Sequence, residues 1–180
     1  MIKRNGFTMV EILAVISILA VVGIILTEIF IRTLRGSAKA QVLASIKQNG
    51  QAVMDNMDKT IRGTDNVVTA CTIPLNGIIV FKGGTYTRFL FILPTSSQNG
   101  YIAVDSDSTC GGIYNNSPSI SDKNTKSGVS ITSGSFTLVR NPGFGDVVAI
   151  SFQAEPALEI SSQNLVDPVL FKTTIELRNK

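Results

Sequence analysis

Residues 3–11 read Lys3-Arg4-Asn5-Gly6-Phe7-Thr8-Met9-Val10-Glu11, and they lead into a run of Leu, Ile, Val and Ala that continues to about Ile31. At about 1.5 Å per helical residue, residues 7–31 are long enough to cross a bilayer core of about 30 Å. Glu11 is the only charged residue between Phe7 and Thr27. Because an acid within a membrane helix is costly unless it snorkels or finds a partner, Glu11 is a candidate functional residue that needs a cation.

This stretch resembles the N-terminal signature of type IV prepilins and type II secretion pseudopilins, in which a short basic leader ends in Gly and precedes Phe-Thr-Met-Val-Glu and an apolar helix. The resemblance implies that a prepilin peptidase cuts between Gly6 and Phe7, and that the new Phe7 amine is methylated. It also implies that Glu11 faces the N-terminal amine of a neighbouring subunit in a filament. Many members of the family carry a proline near the end of the membrane segment. The first proline here is Pro74, so the helix is expected to continue without a proline kink.

Two other interpretations of the stretch are an ordinary cleaved secretory signal and a plain signal anchor. A secretory signal has an apolar core of about 7 to 15 residues, followed by an A-x-A-like site. Ala38-Lys39-Ala40 fits that site in letters, but it follows Arg32 and Arg35, and the apolar run is longer than such a core. A signal anchor explains the length and the hydrophobicity, but not the residues around the expected cut. Basic residues flank the run on both sides, so the orientation rests on the resemblance.

Composition sets further bounds on the class of protein. The 180 residues leave room for one membrane helix and one modest folded domain. The net charge is only +3, and much of the positive charge lies beside the apolar run, so no broad basic surface indicates a nucleic-acid partner. The chain contains no histidine, which removes His-based triads, most catalytic zinc sites and the commonest general base.

Cys71 and Cys110 are the two cysteines of the chain. They lie in the part that the resemblance places outside the cytoplasm, where disulfides persist. We therefore predict a structural disulfide between them, with two free or buried thiols as the alternative. Closing a loop of about 40 residues stabilises a fold by up to about 4 kcal/mol in the chain-entropy model.

Beyond Ile31 the sequence becomes amphipathic, and apolar residues recur at the three- or four-residue steps of one helical face. We predict one continuous helix from about Phe7 to Arg62, ended by Gly63 in a C-cap position. This apolar stripe consists of Leu34, Ala38, Val42, Ile46, Gly50, Val53, Met57 and Ile61. Its part from Ile46 onward is expected to pack on a sheet, whereas its earlier part is a candidate for contacts with other helices.

The rest of the chain shows the alternation of strands separated by turn-forming pairs. The expected strands are Val67–Ile73, Ile78–Lys82, Thr87–Leu93, Tyr101–Asp105, Val129–Thr132, Phe136–Arg140, Val147–Gln153 and Val169–Arg178. The expected turns are Asn76-Gly77, Gly83-Gly84, Asn99-Gly100, Ser133-Gly134 and Pro142-Gly143. The fold class is therefore α+β, with a long N-terminal α-helix packed on a C-terminal antiparallel β-sheet meander, as in pilins. The expected segments are a leader at 1–6, the membrane or filament-core half of the helix at 7–31, its amphipathic half at 32–63, and a β-rich globular domain at 64–180.

The polar part of the chain contains one candidate cation site. Asp105-Ser106-Asp107-Ser108 offers oxygen ligands to calcium, but it lacks the glycine and the terminal glutamate of an EF-hand. We therefore interpret Asp105 to Ser127 as a solvated loop. No nucleophile has a candidate base in a recognisable motif. We expect no catalytic residue, no metal and no cofactor, and a protein that is a substrate of enzymes and not an enzyme.

The indicated function is that of a structural subunit, of the minor type, in a type IV pilus-like or type II secretion pseudopilus filament. The closing strand Phe171–Asn179 and the polar helix end Gln48–Arg62 resemble those of minor pilins or J-type pseudopilins. The implied partners are other pilin or pseudopilin subunits, the prepilin peptidase and methylase, and an inner-membrane assembly platform with its ATPase. The implied location is the cytoplasmic membrane, as a single-pass protein with an extracytoplasmic C-terminal domain, and then a periplasmic or cell-surface filament. The alternative is a monomeric, membrane-anchored β domain that acts as a receptor or adhesin.

Overall fold

A computed structural model describes residues 8–69, 71, 76–110, 118–126, 128–140, 145–161 and 166–177. Contacts between residues divide the chain into two compact units, Met1–Ala40 and Gln41–Lys180. The first helix, α1, spans Met9–Arg62 and contributes residues to both units. In the second unit, the last part of α1 packs on antiparallel sheets, which confirms the expected α+β, pilin-like fold.

The helix α1 contains 54 residues and continues through its glycines without interruption. It ends at Arg62 and Gly63 follows it, as expected, but Gly63 does not have the positive φ of a left-handed glycine cap. The following residue closes the helix instead. The N–H of Thr64 donates to the carbonyl oxygen of Ile61 at 3.1 Å, and its hydroxyl donates to the same oxygen at 2.6 Å. Thr64 thereby satisfies a carbonyl that the end of the helix leaves without a partner.

In the described part of the chain, the strands form antiparallel meanders as the sequence predicted, but they are divided between two sheets. The first sheet, in the order β1-β2-β3-β4, contains β1 Asn66–Val67, β2 Gly77–Lys82, β3 Thr85–Ile92 and β4 Tyr101–Asp107. The second sheet, in the order β5-β6-β7, contains β5 Val129–Val139, β6 Val147–Pro156 and β7 Val169–Glu176. A short helix, α2 Leu158–Ser161, follows β6. The Ile131 N–H donates to the Gly100 oxygen at 2.9 Å, so the two sheets adjoin there.

The hairpin between β2 and β3 confirms the predicted Gly83-Gly84 turn. Lys82 pairs with Thr85, and the two glycines between them have φ values of 53° and 85°. Two successive residues with positive φ match the right-handed twist of the flanking strands, and glycine adopts this conformation without steric cost. The predicted Pro142-Gly143 turn lies outside the described residues.

The pair Ser133-Gly134 is not a turn but part of the continuous strand β5. The pairing register with β6 shifts between Ile131 and Ser133, which is a β-bulge, and the strand then continues. Gly134 is required for packing, because a Cβ there would overlap the ring of Phe91. The strand β5 therefore replaces two predicted strands, Val129–Thr132 and Phe136–Arg140.

The predicted strand Val67–Ile73 is also wrong in extent, because β1 ends at Val67. The Val68 N–H still donates to Ile79 at 2.9 Å, but the Thr69 hydroxyl accepts a hydrogen bond from Arg140 at 3.0 Å. Thr69 and Cys71 are not part of a strand, and Ala70, Thr72 and Ile73 lie outside the described residues. The remaining predicted strands correspond to β2, β3, β4, β6 and β7 with shifted ends.

The buried face of α1 in the second unit is the one that the sequence predicted. Ile46, Val53 and Met57 are 1%, 2% and 0% exposed, and they belong to the core cluster that includes residues of both sheets. The prediction omitted Met54, which is buried beside them. Lys47 and Gln51, on the opposite face of the helix, are exposed.

A row of aromatic rings crosses this core. Phe91 stacks on Phe136 with 4.7 Å between ring centroids and contacts Phe152 at 6.0 Å, and Phe152 stacks on Phe171 at 5.0 Å. Because Phe91 belongs to the first sheet and the other rings to the second, the row joins the two sheets. The row ends at Gly50 of α1, where a Cβ would overlap the ring of Phe171.

Gly50→Ala should destabilise the protein, although alanine favours a helix over glycine by about 1 kcal/mol. The added Cβ displaces the Phe171 ring, and overpacking of a core costs about 1–3 kcal/mol or more. Urea unfolding of the full-length protein in detergent, followed by far-UV circular dichroism, measures the change. Gly36→Ala is the matched control, because nothing lies within 4 Å of its Cβ position. It should leave the unfolding midpoint of the domain unchanged, and equal losses in the two variants would contradict the packing role of Gly50.

Candidate functional site

The candidate site begins at the first turn of α1, where Thr8 and Glu11 bond to each other reciprocally. The Glu11 N–H donates to the Thr8 hydroxyl at 3.3 Å, and the Thr8 N–H donates to the Glu11 carboxylate at 3.4 Å. This arrangement is a capping box, with Thr8 as the N-cap and Glu11 at the third helical position. Its sequence signal is the spacing of Thr8-Met9-Val10-Glu11, which the interpretation of Glu11 as an assembly residue overlooked.

The capping box determines where the charge of Glu11 lies. The carboxylate points back to the N-terminal end of α1, where the helix dipole favours a negative charge. Gly6 and Phe7, the predicted processing site, lie outside the described residues. Thr8 follows them directly, so the carboxylate bonds to the backbone of the residue next to the predicted mature N-terminus. No Lys or Arg of the described residues forms a salt bridge with Glu11.

The helix surface beyond Glu11 is apolar and exposed. The large apolar side chains between Met9 and Ile31 have exposed fractions from 82% for Met9 to 43% for Ile31. Among the described residues, α1 is the one helix that is long and apolar enough to cross a membrane. An exposed apolar surface of this size indicates contact with lipid or with another protein.

The hydroxyl groups in this part of α1 bond to their own helix. Ser17 donates to Leu13 and Thr27 donates to Gly23, both at 2.8 Å, and Thr33 likewise donates to the carbonyl four residues earlier. These groups therefore need no partner outside the helix. Glu11 remains as an acid that forms no salt bridge with any described residue.

A second acid, Glu28, lies near the end of the apolar run and differs from Glu11. Its carboxylate accepts a hydrogen bond from Arg32 at 2.6 Å, one helical turn further on. Both side chains are exposed, and such pairs contribute little to stability in water. The pair does, however, balance the charge of Glu28 within the helix itself.

The β domain contains the predicted disulfide between Cys71 and Cys110, with the two Cα atoms 6.0 Å apart. It links the segment that follows β1 to the segment that follows β4. Because β1 and β4 are the outer strands of the first sheet, the bridge ties the two sides of that sheet together.

The two carboxylates considered for calcium are both engaged. Asp105 accepts a hydrogen bond from the guanidinium of Arg88, its cross-strand neighbour on β3, whose side chain is 2% exposed. Asp107 accepts hydrogen bonds from the Thr109 hydroxyl at 2.9 Å and the Ser108 N–H at 2.6 Å. These bonds, that of the Thr109 hydroxyl above all, hold the pKa of Asp107 below its ordinary value. In the described residues, no group of three or more His, Cys, Asp or Glu side chains could hold a metal ion.

Comparison with known families identifies the N-terminal part of the chain. Residues 1–27 match the family model of the prokaryotic N-terminal methylation motif, which is the signature of type IV pilins and pseudopilins. The match includes Gly6, Phe7 and the capping box, whereas the β domain lies outside it. Neither a curated protein nor a solved structure matches the chain.

The motif and the structure together define a class of protein. The chain carries a motif that supports processing by prepilin peptidase, joined to an α+β domain of pilin-like fold. The apolar helix and the motif fit a membrane-anchored protein whose domain lies outside the cell membrane.

Replacing both Cys71 and Cys110 with serine should lower the free energy of unfolding by about 2–4 kcal/mol. The cysteines are separated by 39 positions, and the unfolded chain regains the freedom of that loop. Urea unfolding with and without reductant measures the effect, and the reduced wild-type protein should unfold together with the double variant. A double variant as stable as the oxidised wild type would contradict a structural role of the bridge.

Proposed function

We propose that the protein is a structural subunit, of the minor type, in a type IV pilus-like or type II secretion pseudopilus filament. In this proposal it is matured by a prepilin peptidase and methylase and is not itself an enzyme. The observation that carries the proposal is Glu11, an acid in an exposed apolar helix that forms no salt bridge with a described residue. The capping box holds its carboxylate beside the expected mature N-terminus.

Cleavage between Gly6 and Phe7 would supply a cation for Glu11, which has no salt bridge with a described residue. The new amine would lie one residue before the N-cap of each subunit. A charge-assisted hydrogen bond from the amine of one subunit to Glu11 of the next is much stronger in an apolar environment than in water. Pairing would also remove the cost of an unbalanced acid in the membrane, and would fix the register of neighbouring helices.

The exposed surface of α1 supports the same proposal. In the membrane, lipid covers this surface; in a filament, the helices of neighbouring subunits cover it. Gly23 has nothing within 4 Å of its Cβ position, so the backbone of a second helix can approach closely there. Assembly would require the implied platform and ATPase in the membrane.

The capping box also favours a second candidate, the monomeric membrane-anchored receptor or adhesin. It gives Glu11 a local role at the helix start that needs no neighbouring subunit. Lipid alone would then cover the apolar surface. The two candidates differ in whether residues 1–6 are removed and in whether the charge of Glu11 matters for assembly.

The mature protein should lack residues 1–6 and carry one methyl group on the Phe7 amine. Intact-mass spectrometry of protein extracted from membranes of a host with a prepilin peptidase measures both changes. Gly6→Phe should block the cut, because a bulky side chain replaces the glycine on which the motif depends. Gly36→Phe adds the same side chain far from the cut and should be processed normally. Recovery of the full-length wild-type chain would contradict the filament proposal.

Glu11→Gln separates the pairing role of Glu11 from its capping role. Glutamine can still accept the hydrogen bond from the Thr8 N–H, so the helix start is kept, but the charge is lost. Membrane insertion and processing should be unchanged, while incorporation into filaments should fall about ten-fold or more, as for Glu11→Ala. Immunoblots of sheared filaments, normalised to the membrane fraction, measure incorporation.

Glu28→Gln is the matched control for this experiment. It makes the same change of charge at an acid that Arg32 already balances, and it should assemble at close to the wild-type level. If Glu11→Gln assembles normally while Glu11→Ala does not, Glu11 acts as a cap and the pairing role is wrong.

A further inference from the structure

Three basic residues follow the apolar run of α1. Arg32, Arg35 and Lys39, here called the juxtamembrane cations, are all exposed. The sequence contains no acidic residue between Glu28 and Asp55. Glu28 is therefore the one nearby acid along the chain that can balance their positive charge. These cations lie beyond residues 1–27, which match the motif. The proposed filament role assigns them no function.

The spacing of the juxtamembrane cations places them on one face of the helix. They are separated by three and by four residues, and residues at such spacings have Cβ atoms about 5–6 Å apart. Arg32 is paired with Glu28. Neither Arg35 nor Lys39 forms a salt bridge with a described residue. Two unbalanced cations therefore lie close enough to contact one anion.

The depth of these residues follows from the length of the helix. A bilayer core of about 30 Å corresponds to about 20 helical residues. If Glu11 lies at one edge of the core, the other edge falls near Ile31. Arg32 then lies at the boundary, Arg35 lies within the headgroup layer, and the long side chain of Lys39 can reach that layer from outside.

We propose that Arg35 and Lys39, assisted by Arg32, bind the phosphate of an anionic phospholipid in the leaflet where the apolar run ends. Phosphate accepts two hydrogen bonds from an arginine fork and attracts lysine as a point charge. The ion pair with Arg32 keeps Glu28 from repelling the lipid. The inference goes beyond the proposed function, because it concerns the subunit within the bilayer and applies to a monomeric anchor as well.

The test uses the full-length protein in phosphatidylcholine vesicles with a trace of spin-labelled phosphatidylglycerol or spin-labelled phosphatidylcholine. Electron spin resonance gives the preference of the lipid shell around the helix for one label over the other. The wild-type protein should prefer phosphatidylglycerol about five-fold. This preference should weaken when the salt concentration rises from about 0.05 M to about 0.5 M, because salt screens exposed charges.

Two double variants with the same change of charge are compared. Arg35→Gln with Lys39→Gln should lose most of the preference, whereas Lys47→Gln with Lys59→Gln, two exposed cations further along α1, should keep it. Lys3 and Arg4 are present in all three proteins, so any contribution from the leader cancels.

Three results would overturn the inference. The first is a wild-type protein that does not distinguish the two labelled lipids. The second is an equal loss of preference in both double variants, which would indicate only the net charge. The third is an unchanged lipid preference in the Arg35 and Lys39 variant with reduced chemical cross-linking between copies of the chain, which would assign these cations to contacts between subunits.

Discussion

The apolar surface of α1 before Ala40 is exposed, and the protein is stable only where something covers this surface. An apolar helix of this length is stable only where lipid or other helices replace water. In such surroundings backbone groups must be bonded within the segment, as a continuous helix allows, and the Ser17 and Thr27 hydroxyls bond to carbonyls of the preceding turn. The charged side chains are then the polar groups of this surface that can bind a partner. Their positions therefore determine which lipids or subunits the helix can bind specifically.

The two acids of the apolar segment illustrate this point. Glu28 carries its own counter-ion one turn away, whereas Glu11 bonds to the backbone at the helix start and keeps its charge available. The sequence was sufficient to single out Glu11, because a lone carboxylate in an apolar run is costly in lipid. The Thr-x-x-Glu spacing is also the sequence pattern of the capping box, so the same carboxylate has a local role at the helix start and a charge that a neighbouring group can use.

The parts of the fold that local patterns determine were predictable. The helix, its buried face from Ile46 onward and the Gly83-Gly84 hairpin follow from periodicity and turn chemistry. The division into two sheets was not predictable, because it depends on pairings between distant segments. Gly134 and Gly50 show the same limit: each is required by a ring distant in sequence, and nothing in the neighbouring residues distinguishes such a glycine from a turn or a weak point in a helix.

The disulfide has a consequence for the order of events in the cell. Its two cysteines lie in segments that follow opposite outer strands of the first sheet, so folding of that sheet brings the sulfur atoms together. Disulfides persist in oxidising compartments and are rare in the cytosol. A closed bridge therefore marks a chain whose domain has been exposed to an oxidising compartment. The redox state of this one bond thus distinguishes chains that have reached such a compartment from chains that have not.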